Sequence, residues 1–365
     1  MRFCRVCGFP LAYGRYLEWT ADGVIQGRDP ARTRLVFMEV DEIRTLFSSV
    51  SEAIGLPVDP IVCRAEKEVG RRFISTLVPV SATRVPRRKL ARPLFIARFF
   101  VHILADYMAA MGMGRARLLE YKPGLFVKVE LTESHSLPLV IGDITGVVEY
   151  LDQAGMDASW TEPVAGPAVL NIVKVSESPG REERLGLEPP EYLPGKAAFN
   201  RCPRCSVPRE VSDSLKFELE RGVVRNAVTG AREVALPAQS FAAVFRELGS
   251  ELGEDVHDLV EGIAQQYTRE SSAVRRYAGE VDDGGVLELL SDFTWRGMAN
   301  PTRVEKTDRG LEVTLENAFD AGMAAGRVAG LYEAASGTRV RVSWVEERQG
   351  RLKVTMAKPV DQGRG

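Results

Sequence analysis

Sliding this 365-residue chain along itself exposes an internal repeat, and that repeat constrains the fold more than any other feature. Cys4-Arg5-Val6-Cys7-Gly8-Phe9-Pro10 answers to Cys202-Pro203-Arg204-Cys205-Ser206-Val207-Pro208: two cysteines flanking two residues, then a small residue, an apolar residue and proline. Far downstream, Gly142-Asp143-Ile144-Thr145-Gly146-Val147-Val148-Glu149 faces Gly326-Arg327-Val328-Ala329-Gly330-Leu331-Tyr332-Glu333 at a shift of 184. The same shift sets Ser159-Trp160-Thr161-Glu162 against Ser343-Trp344-Val345-Glu346, and Gly166 against Gly350. Matches in one ungapped register identify two diverged copies of a single unit.

Each copy reads as a knuckle, a hairpin, helices, two strands, a helix and two strands. Leu17 and Trp19 before the Asp22-Gly23 turn correspond to Leu215 and Phe217 before Arg221-Gly222, and period-2 apolar spacing around a glycine turn predicts a hairpin. Helices are expected over 42–54, 59–77, 88–111 and 139–151 in the first copy, and over 241–252, 255–272, 286–293 and 318–335 in the second. Asp59-Pro60 supplies a helix start, with proline at a first-turn position where no amide hydrogen is needed. Strands are expected over 116–121, 125–131, 157–162 and 168–175, then 302–306, 311–316, 339–346 and 351–356. Helices set apart from short hairpins predict an α+β fold with helices packed on a small antiparallel sheet. The copies span 1–175 and 198–358. The Pro- and Gly-containing stretch 176–197 between them reads as a linker, and 359–365 as a loose tail.

The copies begin with paired thiols, and pairing is the chemistry a structural zinc requires. Zinc takes a tetrahedron of ligands, and one Cys-x-x-Cys knuckle offers only half of it. Cys4, Cys7, Cys202 and Cys205 together complete a set, so a structural Zn2+ joining the two copies is expected. The spacing also admits zinc shared between the chains of a homodimer, a redox dithiol, or iron held by four thiolates. Such a closed site holds the fold and leaves no coordination position for chemistry.

Formal charge is −2 and the pI near 6.1, which excludes nucleic acid or an anionic membrane as a partner held by bulk charge. Arg2 and Phe3 follow the first methionine without a long apolar run, so no secretory signal is read and a cytoplasmic location is expected. The most apolar stretch, 93–114, carries Arg98, His102 and Asp106 on one helical stripe, which excludes a lipid-facing span. That stripe reads as a salt-bridged face toward the partner copy or water; its alternative role is a polar floor under a ligand. Phe95, Phe99, Phe100, Tyr107, Met108 and Met111 flank it as core. The basic run from Arg84 to Arg92 has no counterpart in the second copy and no interleaved aromatics, so it reads as a solvated loop and helix start. Cys63 reads as inert core. No His-x-x-x-His pair, nucleophile elbow or phosphate loop accompanies His102, His135 and His257, so no catalytic residues are assigned.

The end of each copy resembles the 4-vinyl reductase domain, through Gly142–Glu149 with Trp160, Glu162 and Gly166, and through Gly326–Glu333 with Trp344, Glu346 and Gly350. The resemblance implies an α/β family related to vesicle-tethering subunits and haem-based nitric oxide sensors, often sensory and binding small hydrophobic molecules between helices and sheet. Many sensory members carry metal-binding cysteines near the final hairpin; here 163–166 and 347–350 hold none, and the knuckles precede each unit instead. The expected function is binding of a small apolar ligand, with output through a protein partner. The long helix around Phe99, His102, Asp106 and Tyr107 is the place to look for that ligand. The alternatives are a docking scaffold and an accessory protein of anaerobic aromatic or tetrapyrrole metabolism.

Overall fold

The computed structural model describes residues 2–78, 103–163, 166–176, 191–252, 256–271, 283–308, 310–347 and 350–358. The fold is α+β, with every strand pair antiparallel. Helix α1 (Leu11–Tyr16) leads into strands β1 (Leu17–Trp19), β2 (Ile25–Gly27) and β3 (Arg34–Glu39), then helices α2 (Val40–Ile54) and α3 (Asp59–Leu77). Helix α4 (103–111) precedes β4 (Arg115–Lys122), β5 (Phe126–Thr132), α5 (Leu137–Asp152), β6 (Met156–Thr161) and β7 (Ala168–Lys174). The second copy repeats the order: α6 (Arg209–Ser214), β8 (Leu215–Glu218), β9 (Val223–Asn226), β10 (Arg232–Pro237), α7 (Ala238–Leu252) and α8 (Val256–Glu270). It closes with α9 (Asp283–Leu289), α10 (Ser291–Trp295), β11 (Asn300–Thr307), β12 (Gly310–Glu316), α11 (Ala321–Ser336), β13 (Arg341–Glu347) and β14 (Arg351–Ala357).

Two four-stranded sheets, β4-β5-β7-β6 and β11-β12-β14-β13, have identical strand order. Strand β5 buries Val127, Val129 and Leu131, and β12 buries Leu311, Val313 and Leu315, so each sheet packs one face inward. The third sheet belongs to both copies: β1-β2-β3-β10-β9-β8, joined at its centre by β3 and β10. Those central strands were not expected from the sequence. Leu35, Val36, Phe37 and Met38 are all fully buried, as are Val234, Ala235 and Leu236, so neither run shows the alternation that marks a half-exposed strand. The segment 286–293, read as one helix, is divided between α9 and α10.

Helix pairing follows the glycines. A Cβ on Gly142 would lie 2.5 Å from the Cys63 carbonyl oxygen, and one on Gly146 only 1.9 Å from that of Lys67. Gly326 and Gly330 meet the carbonyls of Glu261 and Gln265 at 2.3 and 2.5 Å in the same way. The Gly-x-x-x-Gly repeat therefore brings α5 against α3, and α11 against α8, at backbone contact. A copied latch adds to each pair. Glu149 accepts from the Met156 amide and lies 2.8 Å from Lys67 Nζ; Glu333 accepts from the Val340 amide and from Gln265.

The copies also exchange parts. Helix α2 packs on α8 and α7 packs on α3, and one hydrophobic core runs through both halves. The Arg34 guanidinium donates to the carbonyls of Gly297 and Asn317, and Arg232, its counterpart, donates to the carbonyl of Glu133. Residues 191–197 run beside the first hairpin, where the Ala197 amide donates to the Ala21 carbonyl and Leu193 to the Asn317 side chain. Among the described residues no helix is long and apolar enough to cross a membrane.

Candidate metal centre and the polar clusters around it

Each knuckle is a closed backbone loop. Phe3 bridges Pro10 and Arg201 bridges Pro208, while Cys4 donates its amide to Phe9 and Cys202 donates to Val207. The chain turns back through Gly8 at φ 72° and, at the matching place, through Ser206 at φ 62°. Serine in the left-handed region shows that the second knuckle keeps the same geometry without a glycine.

This folding aims all four sulfurs at one point. Cys4 Sγ lies 3.9 Å from Cys202 Sγ, Cys7 Sγ lies 3.4 Å from Cys205 Sγ, and the four sulfurs fall within 4.8 Å of one another. Those separations are too long for a disulfide, whose sulfurs sit about 2.05 Å apart. A tetrahedron with metal–sulfur bonds of about 2.3 Å has edges near 3.8 Å, and the cluster matches it. Cys4 and Cys202 are buried, and Cys7 and Cys205 half-buried.

The electrostatics suit a cation. Burial opposes ionisation of Cys4 and Cys202, but amide hydrogens from Val6 and Cys7, and from Cys205 and Arg204, outweigh it. Both thiols fall below the usual range, Cys202 to about 6. Burial raises Cys7, and raises Cys205 to about 12. Four thiolates at this spacing repel one another strongly unless a cation sits among them. A group of four clustered cysteines that can hold a metal ion such as zinc is thus present.

The other residues singled out in the sequence are scattered. Phe99 and His102 lie outside the described residues, as do Arg98 and the basic run at 84–92. Asp106 is exposed and pairs with Arg115 at 3.4 Å, whereas Tyr107 is half-buried, its ring stacked on Phe73 and edge-on to Tyr16. The Cys63 thiol donates to the Pro138 carbonyl at 3.2 Å, and burial pushes it up to about 12, which makes it unreactive. His135 is buried with Nδ1 near the Met113 carbonyl and no partner for Nε2; burial holds its imidazole down to about 3.

Sequence reasoning missed the buried charges. Arg327 grips Glu42 with two donors, Nε at 2.7 Å, and Arg296 forms a fork with Glu233 at 2.8 Å. Glu66 on α3 is buried with one oxygen accepting from the Ser240 hydroxyl at 2.9 Å and the other without a partner. One signal was available: Glu66 falls between Val62, Ala65 and Val69 on the buried face of its helix. A groove of about 490 Å³ is lined by residues of α3 and α5 together with Trp160, among them Arg64, Lys67, Ile141 and Glu149.

No family model matches the sequence. No curated protein matches it either. Among solved structures, the chain is similar to the crystal structure of the phenol-responsive sensory domain of the transcription activator PoxR with phenol, at 15% identity and a TM-score of 0.34. That alignment covers 40% of this chain and 87% of the other. At that score the likeness assigns neither family nor ligand.

Proposed function

We propose that this protein is a non-catalytic small-molecule binding or sensory protein, built from two vinyl-reductase-like copies stapled by one structural Zn2+. The observation that carries the metal is the convergence of Cys4, Cys7, Cys202 and Cys205 on one point from opposite ends of the duplication. When bound, zinc supplies a fixed crosslink between the knuckles and no open coordination position. Cys4 and Cys202 are the inner ligands, and Cys7 and Cys205 the outer ones. On this reading the copies are 1–175 and 198–358, with 176–197 between them and 359–365 as a tail.

The ligand-binding part rests on the Gly-x-x-x-Gly helix and Ser-Trp-x-Glu strand shared with vinyl reductase domains. It is further supported by the half-buried aromatic group that Tyr16 and Phe73 form with Tyr107 of α4. A signal would leave through a protein partner, and a cytoplasmic setting suits reduced thiols. Native mass spectrometry of the purified protein tests the reading, because it reports metal, small molecules and oligomeric state together. Zinc at one per chain is the expected result; no metal, or two ions per chain, sinks the site.

A further inference from the structure

The two copies differ where the first carries a group of acids and phenols. Glu66, Gly70 and Phe73 share one face of α3. A Cβ on Gly70 would lie 2.6 Å from Asp143 Oδ1, and one on Gly142 would lie 2.8 Å from Glu66 Cβ, so both carboxyl side chains crowd the α3–α5 seam. Tyr107 stacks on Phe73 at 5.9 Å between ring centres and meets Tyr16 edge-on at 5.6 Å. Tyr13, one turn before Tyr16, is 2% exposed and its hydroxyl has no partner. Glu66 is 4% exposed, with one carboxyl oxygen equally bare.

The counterparts in the second copy are all changed. Ala264 stands for Glu66, Arg327 for Asp143, Asp292 for Tyr107, Val211 for Tyr13, Ser214 for Tyr16 and Ser271 for Phe73. That copy brings its own cations, since Arg327 neutralises Glu42 and Arg296 neutralises Glu233 and Asp292. Among the described residues, no arginine or lysine pairs with Glu66 or Asp143. Buried carboxylates are normally matched by a positive charge, and faces of aromatic rings attract cations. Burial alone pushes Asp143 up to about 6, and burial with the nearby Asp143 charge lifts Glu66 well above its usual range.

We propose that the first copy holds a site for a small organic cation, a protonated amine with an apolar body, seated among Tyr13, Tyr16, Phe73 and Tyr107 with Glu66 and Asp143 as its counter-charges. Tyr16, Phe73 and Tyr107 are half-buried, whereas Glu66 and Tyr13 are almost wholly buried. The inference deepens the ligand-binding reading by naming the ligand's charge, and depends on it.

Isothermal titration of the full-length, zinc-loaded protein at neutral pH compares benzylamine with its neutral and anionic relatives, benzyl alcohol and benzoate. Benzylamine is expected to bind at least about tenfold more tightly than either. Asp143→Asn and Glu66→Gln should each weaken benzylamine by about tenfold or more, and by much more than either changes benzyl alcohol. If Glu66→Gln fails to fold, judged by circular dichroism, Asp143→Asn carries the test. Benzyl alcohol binding as tightly as benzylamine overturns the cation site yet leaves the ligand-binding reading standing. Benzylamine affinity unmoved by both variants also overturns it, and binding of no probe removes both.

Discussion

Phe37 of β3 and Ala235 of β10 face each other as register partners, and each is the counterpart of the other at a shift of 198. A pseudo-twofold axis therefore passes between them. Leu35 pairs with Pro237 and Glu39 with Glu233, as such an axis demands. Cys4 and Cys202 share the shift, as do Cys7 and Cys205, so the thiol cluster sits on the same axis. A shared sheet and a shared sulfur cluster thus join the copies at two points along one line.

Loss of one thiol should open both knuckles, because the remaining three cannot complete a tetrahedron. Cys202→Ser is expected to lose most of its zinc, measured by elemental analysis, and to melt lower than the parent. A chelator should lower the parent melting temperature to that of the variant, at about 2–4 °C for each kcal/mol lost. Unchanged metal content in Cys202→Ser would rule out its role as a ligand.

The Glu42–Arg327 pair crosses from one copy to the other and is almost wholly buried. Removing one partner strands a charge in the core. Arg327→Met should cost about 3–5 kcal/mol in chemical denaturation. Glu42→Met combined with Arg327→Met should recover a large part of that loss, since neither charge remains. A double variant as unstable as the single one would show that packing, and not the stranded charge, dominates.

At the helix seams, Gly146→Ala places a methyl group into the Lys67 carbonyl, and Gly330→Ala places one against Gln265. Both should destabilise by about 1–3 kcal/mol despite alanine's better helix propensity. Gly249→Ala is the control, because nothing lies within 4 Å of the added methyl group. Urea midpoints should rise or hold for Gly249→Ala and fall for the other two.

Buried His135 and half-buried Asp143 give the stability profile opposite slopes. His135 drops from its ordinary 6.5 to about 3, so the unfolded chain binds its proton first. Its contribution is present above pH 6.5 and is lost as pH falls toward 3. Asp143 rises from 3.8 to about 6, so its contribution is present below pH 3.8 and is lost as pH rises through 6. His135→Gln should remove a loss of stability that develops below pH 6.5, and Asp143→Asn should remove one that develops between about pH 3.8 and 6. A curve unchanged in either variant would remove that group from the account.

The knuckles, the Gly-x-x-x-Gly helices, the Ser-Trp-x-Glu strands and the α+β class were legible because each leaves a local pattern. Strands β3 and β10 were not, since residues buried on both faces show no periodicity. Glu42 and Arg327 were equally silent: they lie 285 positions apart, and neither neighbourhood announces a partner. Glu66 gave a faint signal as an acid on an apolar face, but nothing in its own helix shows that Asp143 lies beside it.

By itself the sequence determined the duplication, the classes of its elements and the two thiol half-sites, because these depend on short-range spacing and on comparing the chain with itself. Only the tertiary structure decided how the copies meet. Exchange of helices between halves and pairing of β3 with β10 arise from burying apolar surface that neither copy covers alone. That same packing brings Cys4 to Cys202, and sets Glu66 near Asp143 with no arginine or lysine paired to either among the described residues.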